Sequence, residues 1–203
     1  GLASNYTLTN PSSSVTINPL SIVITGTMVY NGGTTVTTTN ASLSIGNKVS
    51  GDSVTLSSGS ANVSSSNVSA GSQSLDNFSG LSLSNNSYGN YTISGVAGTV
   101  SITPRPIYVT ANSSQTKVYG ESDPTFGYAV AAKATGSGLL GTDGISLSGQ
   151  LARAEGENVG SSYAISQGSL AVGGNYTINY TSANFAITPR PIYVTANSSQ
   201  TKV

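Results

Sequence analysis

Seventeen residues, Ile102 to Val118, return letter for letter from Ile187 to Val203, a step of 85 residues. The copied string is Ile-Thr-Pro-Arg-Pro-Ile-Tyr-Val-Thr-Ala-Asn-Ser-Ser-Gln-Thr-Lys-Val. Asn5-Tyr6-Thr7, Asn90-Tyr91-Thr92 and Asn175-Tyr176-Thr177 keep the same step, as do Ile17, Ile102 and Ile187. Self-similarity at a fixed period means one structural unit repeated along a line. It points to an elongated scaffold ahead of a pocket-bearing enzyme, and it divides the 203 residues into small domains with modest cores.

Apolar residues alternate around turn-forming clusters at the repeat step. Tyr6 and Leu8 precede Val15 and Ile17 across Asn10-Pro11-Ser12-Ser13. Tyr91 and Ile93 precede Val100 and Ile102 across Gly95 to Gly98. Tyr176, Ile178 and Tyr180 precede Phe185 and Ile187 across Ser182 and Asn184. Residues two apart share a face of a strand, so each cluster predicts a hairpin with an inward aromatic and aliphatic stripe. Prolines follow each time: Pro19, Pro104 with Pro106, Pro189 with Pro191. Proline fixes φ and cannot donate to a sheet ladder, so Pro-Arg-Pro reads as a stiff connector between units. The expected organisation is residues 1–18 as the end of a preceding repeat, 19–103 and 104–188 as β-domains, and 189–203 as the first strand of the next repeat.

Further strands are predicted over Ile22–Thr27, Met28–Tyr30, Thr34–Thr39, Val54–Leu56 and Leu75–Leu83, with Val63 and Val68 in short strands of their own. In the second domain they are predicted over Ile107–Thr110, Lys117–Tyr119, Phe126–Ala132, Ile145–Leu151, Tyr163–Ile165 and Leu170–Val172. Gly138-Leu139-Leu140-Gly141 is the one candidate helical turn. The fold expected is all-β: tandem small immunoglobulin-like domains, with a β-grasp-like sheet as the alternative, arranged end to end in an elongated array.

Only 7% of residues are charged, and seven Lys and Arg balance seven Asp and Glu. There is no basic field to draw a nucleic acid or hold an anionic membrane. Ser, Thr, Asn and Gly supply the polar surface, a composition associated with extracellular and cell-wall settings. Cysteine is absent, so no disulfide supports the fold. No apolar run approaches the roughly 20 residues of a membrane span, and the chain reads as an interior piece of a longer one.

The segment Thr25-Gly26-Thr27-Met28-Val29-Tyr30-Asn31-Gly32-Gly33-Thr34-Thr35, closing with Gly89-Asn90-Tyr91-Thr92-Ile93 and Val100-Ser101-Ile102-Thr103-Pro104, resembles the YDG repeat of large bacterial surface proteins, with Asn31 in the Asp position. Lys117-Val118-Tyr119-Gly120-Glu121-Ser122-Asp123-Pro124-Thr125-Phe126, with Arg153-Ala154-Glu155-Gly156-Glu157-Asn158-Val159-Gly160 and Gly174-Asn175-Tyr176-Thr177-Ile178, is similar to the MBG repeat that accompanies it. The resemblance covers essentially the whole chain. It implies the stalk of a filamentous-haemagglutinin-type adhesin or biofilm matrix protein, exported by two-partner secretion, with no shared catalytic residues.

Histidine is absent, which removes Ser-His-Asp and Cys-His nucleophiles and His-ligated metals. Glu121 with Asp123 and Glu155 with Glu157 are the close acidic pairs from which glycosidase chemistry would have to be built; they read as solvated or turn-capping groups. The calcium candidates are Asp52, Glu121, Asp123, Asp143, Glu155 and Glu157, without the acidic ladder of a known loop; turn capping by Asp123 and Asp143 is the competing reading. Lys48, Lys117, Lys133 and Lys202 are the lysines from which an isopeptide bond to an Asn would come. Eleven Asn-x-Ser/Thr triplets, at Asn5, Asn40, Asn62, Asn67, Asn77, Asn85, Asn90, Asn112, Asn175, Asn179 and Asn197, are candidate glycosylation sites. Tyr6, Tyr91 and Tyr176 recur at the repeat step and read as core rings with rim-reaching hydroxyls.

The sequence therefore predicts a non-enzymatic structural chain with no catalytic, cofactor or metal site. Its expected partners are neighbouring repeats, other copies in a filament, and a polysaccharide or host glycan, without nucleic acid or membrane insertion. Its expected place is outside the cell or on a bacterial surface, and a glycan-binding adhesive module is the rival function.

Overall fold

A computed structural model describes residues 3–7, 9, 12–199 and 201–202 of the chain. Fourteen strands are present among them, and helix is confined to single 3-10 turns at Ala3–Asn5 and Val68–Ala70. The chain is all-β. Its first half contains β1 (Leu20–Val29), β2 (Thr35–Thr37), β3 (Ala41–Ile45), β4 (Thr55–Asn62), β5 (Ser72–Ser74), β6 (Asp76–Ser84) and β7 (Tyr91–Thr103). They form one sheet in the order β3-β1-β7-β5 and another in the order β2-β4-β6. The second half contains β8 (Arg105–Ala111), β9 (Gln115–Val118), β10 (Tyr128–Val130), β11 (Ala152–Arg153), β12 (Gly160–Ser166), β13 (Tyr176–Thr181) and β14 (Asn184–Thr188), in sheets ordered β10-β8-β13 and β11-β12-β14-β9. No sheet mixes strands of the two halves.

The repeat is visible in the strand register. β1 runs parallel to β7, with Leu20 opposite Tyr91 and Ser21 opposite Thr92. β8 runs parallel to β13, with Arg105 opposite Tyr176 and Pro106 opposite Thr177, each 85 residues on. β9 runs parallel to β14 in the second half's other sheet, and the N–H of Tyr119 donates to Thr188 at its end as that of Tyr30 donates to Thr103 at the end of β1 and β7, each at 2.9 Å.

Alternation then decides what is buried. Ile22, Ile24 and Met28 point inward from β1, and Ile107 and Val109 from β8. In the first half, Ile24, Leu43 and Leu75 meet Val36, Leu56 and Leu81 from the opposite sheet around a cavity of about 10 Å³, too small for a second packing arrangement. In the second half, Phe126 meets Phe185 edge-on at 5.2 Å over Ile165 and Ile187. At Gly98 the backbones of β1 and β7 come so close that a Cβ would lie 2.5 Å from the Ile24 carbonyl oxygen.

Tyr91–Ile102 is not a hairpin but one strand. Gly95 (φ 70°) sits in a bulge where Ile93–Val96 intrude between two β1 pairings, so the chain continues in one direction and Ile93 is left exposed. Tyr176–Ile187 is two strands, but they pair in different sheets, β13 with β8 and β14 with β9 and β12. Of the first expected hairpin, Leu8, Asn10 and Pro11 lie outside the described residues; residues 12–19 carry no strand, and Tyr6, Val15 and Ile17 are exposed.

Pro106 is no connector: it lies inside β8, and its carbonyl accepts the N–H of Gly138. Gly138 and Gly141 hold φ of 78° and 76°, which rules out the right-handed turn expected there. Ile145–Leu151 and Leu170–Val172 contribute only an isolated bridge between Ser148 and Ala171, because left-handed Gly144 and Gly149 interrupt the former run. Thr34–Thr39 shortens to β2 because Asn40 Oδ1 accepts from the Thr37 N–H and starts a turn. Val68 lies in a 3-10 turn rather than a strand.

Candidate functional site

The same tyrosine clamp appears in each half. Tyr91, the first residue of β7, is buried with its hydroxyl at the rim, donating to Asp52 Oδ2 at 2.5 Å and accepting from the Val49 N–H at 2.9 Å. Tyr176, the first residue of β13, donates to Asp143 Oδ2 at 2.5 Å and accepts from the Leu140 N–H at 3.2 Å. Asp52 and Asp143, calcium candidates by sequence, are thus phenol acceptors. Burial and then the bond to Asp143 push the Tyr176 hydroxyl up to about 12. Burial also works against the Asp143 carboxylate, but the hydrogen bonds from Tyr176, the Ile145 N–H and Tyr30 outweigh it and hold that group below its ordinary range.

The second clamp joins the two halves. Tyr30, at the end of β1, sets its ring edge-on to Tyr176 at 5.4 Å and donates its hydroxyl to the same Asp143 oxygen at 3.2 Å. Beside it the Asn175 amide accepts from the Val68 N–H and donates to Asn67 Oδ1, both at 2.9 Å. Asn67 and Asn175, candidate glycosylation sites, spend their side chains on each other.

Arg105 completes the junction. It is only 5% exposed, and no carboxylate meets it. Nε donates to Gly138 O at 2.7 Å, Nη2 to Ala134 O and Ser137 O at 2.8 and 2.6 Å, and Nη1 to Tyr30 O at 3.4 Å. Four of the five guanidinium N–H groups are spent on backbone carbonyls, three from one loop of the second half and one from the first. Sequence reasoning placed this residue in a connector. Its only sequence signal was recurrence in the copied string.

A separate cluster lies on the second half. Lys117 on β9 reaches Asp123 at 2.7 Å and Glu157 at 2.5 Å; Arg153 on β11 grips Asp123 with two bonds, at 2.7 and 3.0 Å, and Glu157 at 2.5 Å. The Arg153 guanidinium also lies 5.2 Å from the Tyr163 ring and 5.4 Å from Phe185. The Arg153 bond holds Asp123 below its usual range against the opposing effect of burial, and the Lys117 bond does the same for Glu157.

The acidic pairs of the sequence are therefore split. Asp123 and Glu157 face two cations, Glu121 lies 3.8 Å from exposed Arg190, and Glu155 forms no ion pair among the described residues. No group of three or more acidic residues is placed to hold a metal among the described residues. Lys117 faces two carboxylates rather than an Asn, and Lys48, Lys133 and Lys202 form no ion pair among the described residues. Among the described residues, no helix is long and apolar enough to cross a membrane.

An all-β chain whose halves share one strand register and one tyrosine clamp defines a tandem of related repeat modules. Residues 14–99 match the YDG domain, and residues 107–186 match the MBG domain of the YGX type, a label that fits Tyr119-Gly120-Glu121. The chain carries a YDG domain followed by an MBG domain. No curated protein and no solved structure matches it.

Proposed function

We propose that this chain is a stretch of structural stalk from a large extracellular bacterial adhesin, of the filamentous-haemagglutinin type exported by two-partner secretion, in which end-to-end β-domains extend an adhesive tip or build biofilm matrix. The observation that carries the reading is the junction. A stalk must transmit orientation from unit to unit, and buried Arg105 and Tyr30 with half-buried Asp143 tie the two domains through side chains that have few alternative partners. The parallel pairing of the opening strand with a late one, β1 with β7 and β8 with β13, favours a β-grasp-like unit over an immunoglobulin-like one. The chain does no chemistry in this reading; its scarce charges are spent on holding loops. Small-angle scattering is the test. Two units in line give a maximum dimension near twice the roughly 30 Å of one such domain, and a compact globule of the same mass would overturn the proposal.

A glycan-binding role has one supporting observation. Tyr88 is 90% exposed beside a groove lined by Ser53, Asn85, Asn86, Ser87 and Asn90, an open ring among amides. Titration with a panel of oligosaccharides, with Tyr88→Ala as the control, tests it: binding lost in the variant supports a glycan site, and no binding removes it.

A further inference from the structure

We propose that the surface around Tyr119 is a docking face, and that its occupant is another unit of the kind spanned by residues 105–188, opened by Arg190 as that unit is opened by Arg105. It would seat there as residues 105–188 seat against Tyr30. The inference rests on the stalk reading and adds to it the partner and the residues that hold it.

Tyr30 follows β1 and Tyr119 follows β9, and each donates its N–H at 2.9 Å to the last residue of the parallel partner strand, Thr103 of β7 and Thr188 of β14. The carbonyl of each accepts from an arginine one repeat apart: Arg105 Nη1 reaches Tyr30 O at 3.4 Å, and Arg190 Nε reaches Tyr119 O at 2.8 Å. Both arginines sit in the same copied string. The backbone frame of the junction is thus already built at the second site.

Only the cover differs. Tyr30 is 5% exposed and Tyr119 48%; Arg105 is 5% exposed, whereas the Arg190 side chain is 52% exposed. Ile107 is fully buried, but Ile192, in the identical sequence, is 85% exposed. At the closed junction the cover is Asp143 and Tyr176 over the tyrosine, and the carbonyls of Ala134, Ser137 and Gly138 around the guanidinium. All five belong to the 105–188 unit, and the 187–203 string repeats the strand that opens that unit. This chemistry selects an MBG-type unit as occupant rather than a YDG-type one, whose corresponding opening residue is Leu20. Arg190 holds no strong partner to be displaced, since Glu121 lies 3.8 Å away with both side chains half-exposed. The contact is head-to-tail: one face differs from the face it meets, so its repetition gives an open chain rather than a closed ring.

The experiment joins a copy of residues 119–188 after Val203, which completes a third unit, and maps tyrosine nitration by mass spectrometry in the parent and extended chains. The expected result is loss of nitration at Tyr119 in the extended chain, to the level of Tyr30, and its return in the extended Arg190→Ala variant. The added unit's own copy of Tyr176 reports whether that unit is folded. Tyr119 still nitrated while that copy is protected overturns the docking face and leaves the stalk reading intact. Protection that survives Arg190→Ala overturns the arginine's role in the contact. Protection that arises in the parent chain only as concentration rises overturns the assignment to an in-line unit and gives the face to a second molecule. Scattering from the extended chain separates the two readings: a globule refutes the stalk whether or not Tyr119 is covered.

Discussion

Replacing Arg105 by alanine should destabilise the MBG half selectively, by about 2–4 kcal/mol. Three of its hydrogen bonds are short, to Gly138, Ala134 and Ser137, and all lie within that half. A hydrogen bond to a charged group contributes about 1.5–3 kcal/mol, so three at the low end sum to about 4–5 kcal/mol. Alanine also removes the cost of keeping a guanidinium out of water, and water entering the vacated space would re-satisfy part of the carbonyl set, which lowers the net figure. For a domain of this size each kcal/mol moves the midpoint by about 4–8 °C, so the second unit should melt at least ~8 °C earlier. The first unit should move far less, because its only contact with the guanidinium is the 3.4 Å bond to Tyr30 O. Hydrogen exchange locates the effect: the amides of Ser137 and Gly138, paired with Ala134 and Pro106, should lose protection first. Arg105→Lys should fall between, since an ammonium keeps the charge but cannot span four carbonyls in a plane. A variant Arg105→Ala with wild-type midpoint and unchanged exchange over residues 134–138 would show that the carbonyl cage holds nothing.

Tyr176→Phe should cost about 1–2 kcal/mol and flatten the alkaline limb of the stability curve. The folded-state value near 12 lies above the ordinary 10.0, so the contribution is full below pH 10 and lost as pH rises through 12; midpoints measured between those limits should fall less in the variant. Asp143→Asn should act at the acid end, where a depressed carboxylate contributes above its ordinary value of 3.8 and the contribution disappears as pH falls below it; the acid limb seen in the wild type should flatten in the variant in urea titrations. Arg153→Ala should cost about 2 kcal/mol, leaving Lys117 alone between two carboxylates and Tyr163 without its cation, as denaturant midpoints would register. Gly98→Ala should cost about 1–3 kcal/mol through overpacking against Ile24, readable as a lower melting temperature of the first unit.

The period and the strands with strict alternation were legible because copied residues and buried side chains both leave letters in the sequence. Tyr91 and Tyr176 could be read as rim-reaching core rings for that reason. Their partners could not, since loops of different length bring Asp52 and Asp143 to equivalent places with no common spacing. Strand direction was also hidden: alternation at Tyr91–Ile102 is the same for a hairpin and for one bulged strand, and only pairing with β1 decides. β3 passed unnoticed because Ala41–Ile45 at a sheet edge needs few large side chains. Arg105 misled most. A cation between two prolines reads as exposed, and the carbonyls that bury it belong to residues about thirty positions on, where backbone acceptors have no identity in the sequence.

The two clamps together indicate how a junction arises from a domain. Tyr91 and Asp52 form the pair without any tyrosine from a neighbouring unit among the described residues, so the clamp is a property of the unit itself: it pins the start of the last strand to a loop. Tyr176 and Asp143 repeat that arrangement and then accept Tyr30. Because Tyr176 and the Ile145 N–H already hold the Asp143 carboxylate in place, adding the Tyr30 hydroxyl orders little that was free and leaves no new polar atom unpaired. A unit keeps its clamp when no neighbour docks, but the junction loses both its acceptor and its aromatic platform when the clamp opens. The clamp of the MBG domain and its contact with Tyr30 are therefore coupled through one carboxylate.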